Sequence, residues 1–396
     1  MPTPDEEVWR YSRVAELDLE AFEPVGDGAA AADGIPAEAA AIIAAVPAAA
    51  ALVVRDGRLV HAEIDDDLAR RGLHAGPLGD LGDGADRFRS VAGEPVDAFD
   101  RMNDAFAPEP LAVRVPPGMV VGAPVVVVNV TSTDGGASFP RLLVDAADDA
   151  EVTVVNHDVS GDVHALVVPV VEIAAGPASR VRYVNGQQLG YRVWQIGRLV
   201  SRVGRDANLQ TANIALGGDY ARLRIDSTME GRGGSGEMLA VYFGEGTQMH
   251  DFRTLQDHAA PDTTSDLLFK GVVQGSSRSV YTGLIRIEKD ASGVNAFQTN
   301  RNIKLSPRAW AESVPNLEIE NNDVRCSHAS TIGPVDEDQR FYLESRGIAP
   351  PVAERLIVMG FFDEVLERLP VPGIVASLRA EIAGKLERRD AEVRDD

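Results

Sequence analysis

One cysteine, Cys326, stands in 396 residues, so no disulfide can form within the chain and no zinc site can be built on paired cysteines. A reducing cytoplasm suits that usage. Basic residues are scarce as well. Lys and Arg number 38 against 61 Asp and Glu, and the resulting net charge of −23, with no basic cluster to offset it, repels a phosphate backbone. Nucleic acid is therefore not an expected partner. Long apolar runs are missing too: the longest uncharged stretch, 39–54, is mostly alanine, is interrupted by Pro47, and falls short of the roughly 20 residues that span a bilayer. The start, Met1-Pro2-Thr3-Pro4-Asp5-Glu6-Glu7, carries acids where a secretory signal carries a basic region. A cytoplasmic chain without a membrane partner is expected. No G-x-x-x-x-G-K-[ST] loop occurs, so any use of ATP belongs to another chain, and neither H-E-x-x-H nor G-x-S-x-G is present.

What the sequence does have is the composition of a folded protein, 44% hydrophobic and 25% charged. Residues 1–110 read as a mixed α/β cap. Within it Ala37 to Val46 favours helix, and Leu52-Val53-Val54 pairs with Leu59-Val60 across Asp56-Gly57, a dipeptide suited to a tight hairpin. Residues 65–93 are rich in Gly, Asp and Arg without periodicity and read as loop. Val96, Phe99, Met102 and Phe106 then recur at helical spacing up to Pro108.

From 111 to 335 short β-branched runs such as Val125-Val126-Val127-Val128 replace that periodicity, as in strands buried on both faces. A small or polar residue, any residue, then an apolar one recurs with its apolar member at 152, 181, 209, 223, 249, 280 and 294, at steps near 14 or 28. Stacked coils of a β-solenoid give such a repeat, and so does an antiparallel sandwich. Residues 336–396 turn helical. Asp336 and Gln339 form a capping pair, Gly347 is a stop, and separate helices are expected from Pro350 to Gly360, from Phe361, and after Pro372.

Several motifs could carry chemistry. Gly231-Arg232-Gly233-Gly234-Ser235-Gly236 matches a dinucleotide fingerprint, but Met238 to Phe243 reads as a strand where that mechanism needs a helix, so a turn is expected. His250-Asp251 and Asp257-His258 form an acidic and imidazole cluster that could hold iron or zinc, or simply satisfy turns by hydrogen bonding. Cys326-Ser327-His328 places a thiol and an imidazole two residues apart. If the segment is extended they share one face, as soft and borderline donors for iron or zinc. Packing is the alternative, because a free thiol is only about 3% thiolate near neutral pH and binds metal when a positive charge or the metal deprotonates it.

Longer patterns add a resemblance. Ser313-Val314-Pro315-Asn316-Leu317-Glu318-Ile319, Asp323-Val324-Arg325-Cys326-Ser327-His328-Ala329-Ser330-Thr331-Ile332-Gly333 and Asp338-Gln339-Arg340-Phe341-Tyr342-Leu343 resemble the SufB/SufD family of iron–sulfur cluster assembly scaffolds. His258-Ala259-Ala260-Pro261-Asp262-Thr263-Thr264-Ser265, Lys270-Gly271-Val272-Val273 and Gln298-Thr299-Asn300-Arg301-Asn302 also look like the family. The Cys-Ser-His-Ala-Ser form is similar to its SufD branch. The resemblance implies a mainly β fold with a right-handed parallel β-helix core at 111–335, an N-terminal α/β cap and a C-terminal helical module. It implies a scaffold subunit without its own ATP site, pairing with a SufB-like paralogue or as a homodimer and docking a SufC-like ATPase. It further implies that His328, and less securely Cys326, are ligands for iron or a transient iron–sulfur cluster shared with the partner. The rival readings are a β-helical carbohydrate-active enzyme, which needs carboxylates facing a cleft, and a SufB-like scaffold that builds clusters itself, which one cysteine disfavours.

Overall fold

In six successive turns of the core one residue adopts a left-handed backbone: Asp149, Ala178, Asp206, Gly233, Asp262 and Gly293, at φ between 54° and 73°. Each lies three residues before a position that faces the interior. Val152, Val181, Leu209, Gly236, Ser265, Ala296 and Cys326 are consecutive register partners in one parallel ladder. The sharp corner thus recurs with the strand that follows it, and the chain winds into a parallel β-solenoid of about eight turns. Glycine is needed at two of these corners, because a Cβ on Gly233 or Gly293 would come within 2.5 Å of the Asp206 or Asp262 carboxylate of the preceding turn. The computed structural model describes residues 1–26 and 34–395.

The turns form a twelve-stranded and a ten-stranded sheet. Their inner faces enclose a continuous core that runs from Leu52 and Val127 through Val154 and Ile173 to Phe252, Phe269 and Tyr281. The sandwich reading is overturned, because every pairing between strands from Leu111–Val115 to Val324–Gly333 is parallel. Of the repeating triplets, those ending at 152, 181 and 209 stack in register. Leu223 instead aligns with Phe252 and Tyr281, while Met249 and Val280 pack on an outer cluster with Trp9 and Phe99.

At the N-terminal end the sheets finish in antiparallel strands. Ala50–Arg55 hairpins onto Arg58–Ile64 across Asp56 and Gly57, both at positive φ, and His74–Pro77 runs antiparallel to Leu111–Val115. Residues 65–93 are not a loose loop. They form helical turns at Asp66–Arg70 and Gly84–Arg87 and bury Leu78, Val91 and Ala92. Long-range ties replace periodicity there: the Val91 and Ala92 N–H groups donate to the Glu172 carboxylate, which also pairs with Arg141 at 2.6 Å. The helix Ala98–Phe106 forms as expected, with Asp97 capping it through the Asp100 N–H. The first residues strap across the twelve-stranded sheet, where Arg222 stacks 4.0 Å from the Trp9 ring and pairs with buried Asp251 at 2.6 Å.

The chain ends in helices Glu337–Glu344, Pro350–Leu366 and Pro372–Asp395. The expected break near Gly360 is absent. Val358, Phe362, Val365 and Leu366 pack on Leu239, Val241 and Phe243 from the outer face of the ten-stranded sheet, and that burial outweighs the ~1 kcal/mol helix penalty of one glycine. Polar clamps add to it: Lys385 Nζ lies 2.9 Å from Glu245, and Lys270 Nζ donates to the Phe361 carbonyl at 2.7 Å.

Candidate functional site

At its C-terminal end the solenoid stops without a cap. The strands Trp310–Ile319 and Val324–Gly333 are the last of their sheets, each paired on one side only. Leu317 and Ile319 stand in register above the lumen residues Ile285 and Ile287, and Ile332 above Asn302, at positions that a further turn would cover. They are 37–42% exposed, whereas Ile285 and Ile287 beneath them are fully buried.

Cys326 and His328 lie on this terminal turn. Register pairs Cys326 with Ala296 and His328 with Gln298, so alternation turns both toward the lumen side, while Arg325 and Ser327 face the other way. Their Cα atoms are about 6.6 Å apart along the strand. Cys326 is half-buried in a cluster with Ile285, Ile287 and Val294, and burial pushes its thiol above the ordinary range. A thiolate here therefore needs an approaching cation. His328 is exposed.

Imidazole nitrogen and sulfur suit iron, but among the described residues no group of three or more His, Cys, Asp or Glu could hold a metal ion. What this end offers is two donors on an open rim, half of a ligand set that would need further donors from outside the described residues to hold a metal.

The other candidates are accounted for structurally. Residues 231–234 turn into the strand Ser235–Gly244, with no helix to receive a phosphate. The His250 ring bonds the Gly217 carbonyl at 3.2 Å, whereas Asp251 faces Arg222 and Arg253. Both ring nitrogens of His258 meet hydroxyls, Thr263 and Ser265, each at 2.8 Å, and Asp257 pairs with Arg286. These four residues form no common site. Sequence reasoning missed the lumen beneath His328, where Gln298, Asn300 and Asn302 alternate inward and Tyr242 bonds both asparagines at 2.7 and 2.9 Å. Their period-two polar spacing was the available signal.

A groove of about 810 Å³ opens beside this end, lined among others by Ile303, Tyr342, Leu343, Leu356, Ile357 and Phe361. Phe341, on the same short helix, is 73% exposed.

Residues 128–361 match the SufBD core domain of the SUF iron–sulfur cluster assembly system. The chain belongs to the SufB/SufD family. An iron–sulfur cluster assembly SufBD family protein of Mycobacterium tuberculosis is 33% identical over 315 residues, 78% of this chain and 77% of the relative. The SufD of Bacillus subtilis is 32% identical over 277 residues, 69% of this chain and 63% of that protein. A SufBD family protein of Mycobacterium leprae reaches 41% over 192 residues, 46% of this chain and 49% of the relative. The matched core includes the open end with Cys326 and His328. The β-helical carbohydrate-active alternative therefore falls away, and the chain is an iron–sulfur cluster assembly protein of the SufB/SufD family. Among the described residues no helix is long and apolar enough to cross a membrane.

Proposed function

We propose that this SufB/SufD family protein is a SufD-like scaffold subunit whose open solenoid end pairs with a SufB-like partner, and that His328 supplies one ligand to a cluster assembled between them. The observation that carries this reading is the unfinished terminal turn. Two unpaired strand edges, uncovered lumen residues and two donor side chains occur at one place, and an exposed edge is ordinarily covered or blunted. A partner ending in the same kind of strand could continue both sheets and bring the missing donors. Cys326 is the lesser ligand, because its thiol is half-buried and held protonated.

The terminal helices are the docking site for a SufC-like ATPase. The groove along Tyr342, Leu356 and Phe361 offers an apolar cleft, and the chain has no phosphate loop of its own. The cluster is cargo, held transiently. Pairing with a second copy of this chain would leave only two imidazoles and two raised thiols, a poorer donor set than a partner with its own ligands supplies.

The test is to express His328→Ala together with its SufB and SufC partners and to measure complex formation, melting temperature and cluster content. Removal of an exposed imidazole from an edge strand is expected to leave the complex and melting temperature intact and to lower cluster content. Cys326→Ala is expected to have a smaller effect. Normal cluster content in the His328 variant would exclude the ligand role.

A further inference from the structure

We propose that Gln298 is a positioning residue for His328, accepting a hydrogen bond from one ring N–H so that the other nitrogen faces outward toward metal. This rests on the reading of His328 as a ligand. Gln298 is 1% exposed, faces the lumen, and is the register partner of His328 on the neighbouring strand, about 4.8 Å away. Its Oε1 has no hydrogen-bond partner. Nε2 lies toward the Tyr281 hydroxyl without a well-formed hydrogen bond, and that hydroxyl is itself 3.0 Å from Thr254 Oγ1.

The surroundings are shaped around this carboxamide. A Cβ at Gly283 would stand 2.3 Å from Gln298 Nε2 and 2.2 Å from Tyr281 Oη, so the glycine makes the room in which the amide sits. A buried carbonyl oxygen without a donor lowers stability, and a methionine or leucine would fill the same space without that cost. The carboxamide is thus a choice that packing does not explain. A donor on the adjacent inward-facing position does. The bond is not formed in this structure, where Oε1 is unpartnered; the His328 ring N–H would form it on turning inward, and a metal-binding histidine is ordinarily fixed in tautomer and orientation by a carbonyl or carboxylate on its other nitrogen.

Gln298→Met keeps length and apolar bulk and removes the acceptor, whereas Gln298→Glu restores it. Full-length chain labelled with 15N-histidine reports the tautomer of His328, and titration with Co²⁺ reports its metal affinity. In the unsubstituted chain a single tautomer is expected. In Gln298→Met both tautomers appear and Co²⁺ binding weakens at least tenfold, while the melting temperature holds or rises; Gln298→Glu recovers both signals. A Gln298→Met chain that melts lower yet keeps one tautomer and full Co²⁺ affinity overturns the proposal, since that outcome makes the residue purely structural. His328→Ala separates the two readings. If it binds Co²⁺ as well as the unsubstituted chain, the ligand assignment fails, while the tautomer signal still decides the hydrogen bond.

Discussion

The two ends of the solenoid are made from the same kind of strand and finished in opposite ways. At the N-terminal end, antiparallel strands Arg58–Ile64 and His74–Pro77 close the sheets, and residues 65–93 pack beside them. At the C-terminal end the parallel ladder breaks off with its lumen residues 37–42% exposed. An antiparallel strand ends a parallel stack because its side-chain order no longer matches the next turn. A parallel edge stays a template for more of the same. The closed end therefore leaves no parallel template, and the open end leaves one.

The largest expected effect breaks the interior that both ends share. Phe269 is fully buried, with Phe252 and Tyr281 ring centroids each 5.4 Å away. Phe269→Ala leaves a cavity that stacked turns can only partly collapse, and a loss of about 3–5 kcal/mol is expected from denaturant unfolding of the isolated chain. A loss below about 1 kcal/mol would mean that the turns near the open end are already loosely packed.

Acid should act with opposite signs on buried histidines near the open end and on buried Asp158 near the closed one. His250 and His258, two strands from the open edge, are buried and pushed down to about 4, the former mainly by desolvation and then by Lys385, the latter by desolvation against the opposing pull of Asp257. Asp158, on the strand two places from Ala50–Arg55, is pushed up to about 6 by burial, against hydrogen bonds from Asn129, Gln195 and Asn156. Between about pH 6 and 4.5 the unfolded chain protonates both histidines while the native chain does not, so stability falls with pH. Over the same window native Asp158 takes up a proton that the unfolded carboxylate does not, and stability rises. Two protons against one leave a net loss of about 1.4 kcal/mol per pH unit from these groups. Asp158→Asn should steepen the fall by about 1.4 kcal/mol per pH unit, measured by denaturant unfolding of both chains at several pH values. An unchanged slope would show that Asp158 does not titrate as burial dictates.

The same contrast governs how much could be read from the sequence. Local chemistry was legible: Asp56-Gly57 makes its hairpin, and the Asp336 side chain accepts from the Gln339 N–H as a capping pair requires. The repeat was half legible, since the triplets after the left-handed corners at Asp149, Ala178 and Asp206 stack, whereas those at 249 and 280 belong to outer faces that the same composition can fill. Residues 65–93 looked unstructured because Glu172, about eighty positions away, holds them. Cys326 and His328 could be placed on one face, because alternation needs only an extended segment. Gln298 beneath His328 could not, because register across thirty residues is set by corners rather than by spacing.

The smallest effect on the isolated chain should be the largest on assembly. Ile332 and Leu317 are lumen-side residues of the terminal turn, yet each keeps more than a third of its surface in water. Truncating either to alanine removes little that the isolated chain has buried, and a change within about 0.5 kcal/mol is expected in denaturant unfolding. If a partner turn covers them, the same truncation removes apolar contact at the centre of an interface, where single side chains contribute about 1–2 kcal/mol or more. Association with the SufB-like partner should then weaken by about tenfold for Ile332→Ala, read by titration of one purified subunit into the other. Equal small effects on folding and on association would place the partner elsewhere and leave the unfinished turn without a role, because nothing in its own chain gains from leaving isoleucine and leucine in water above a closed core.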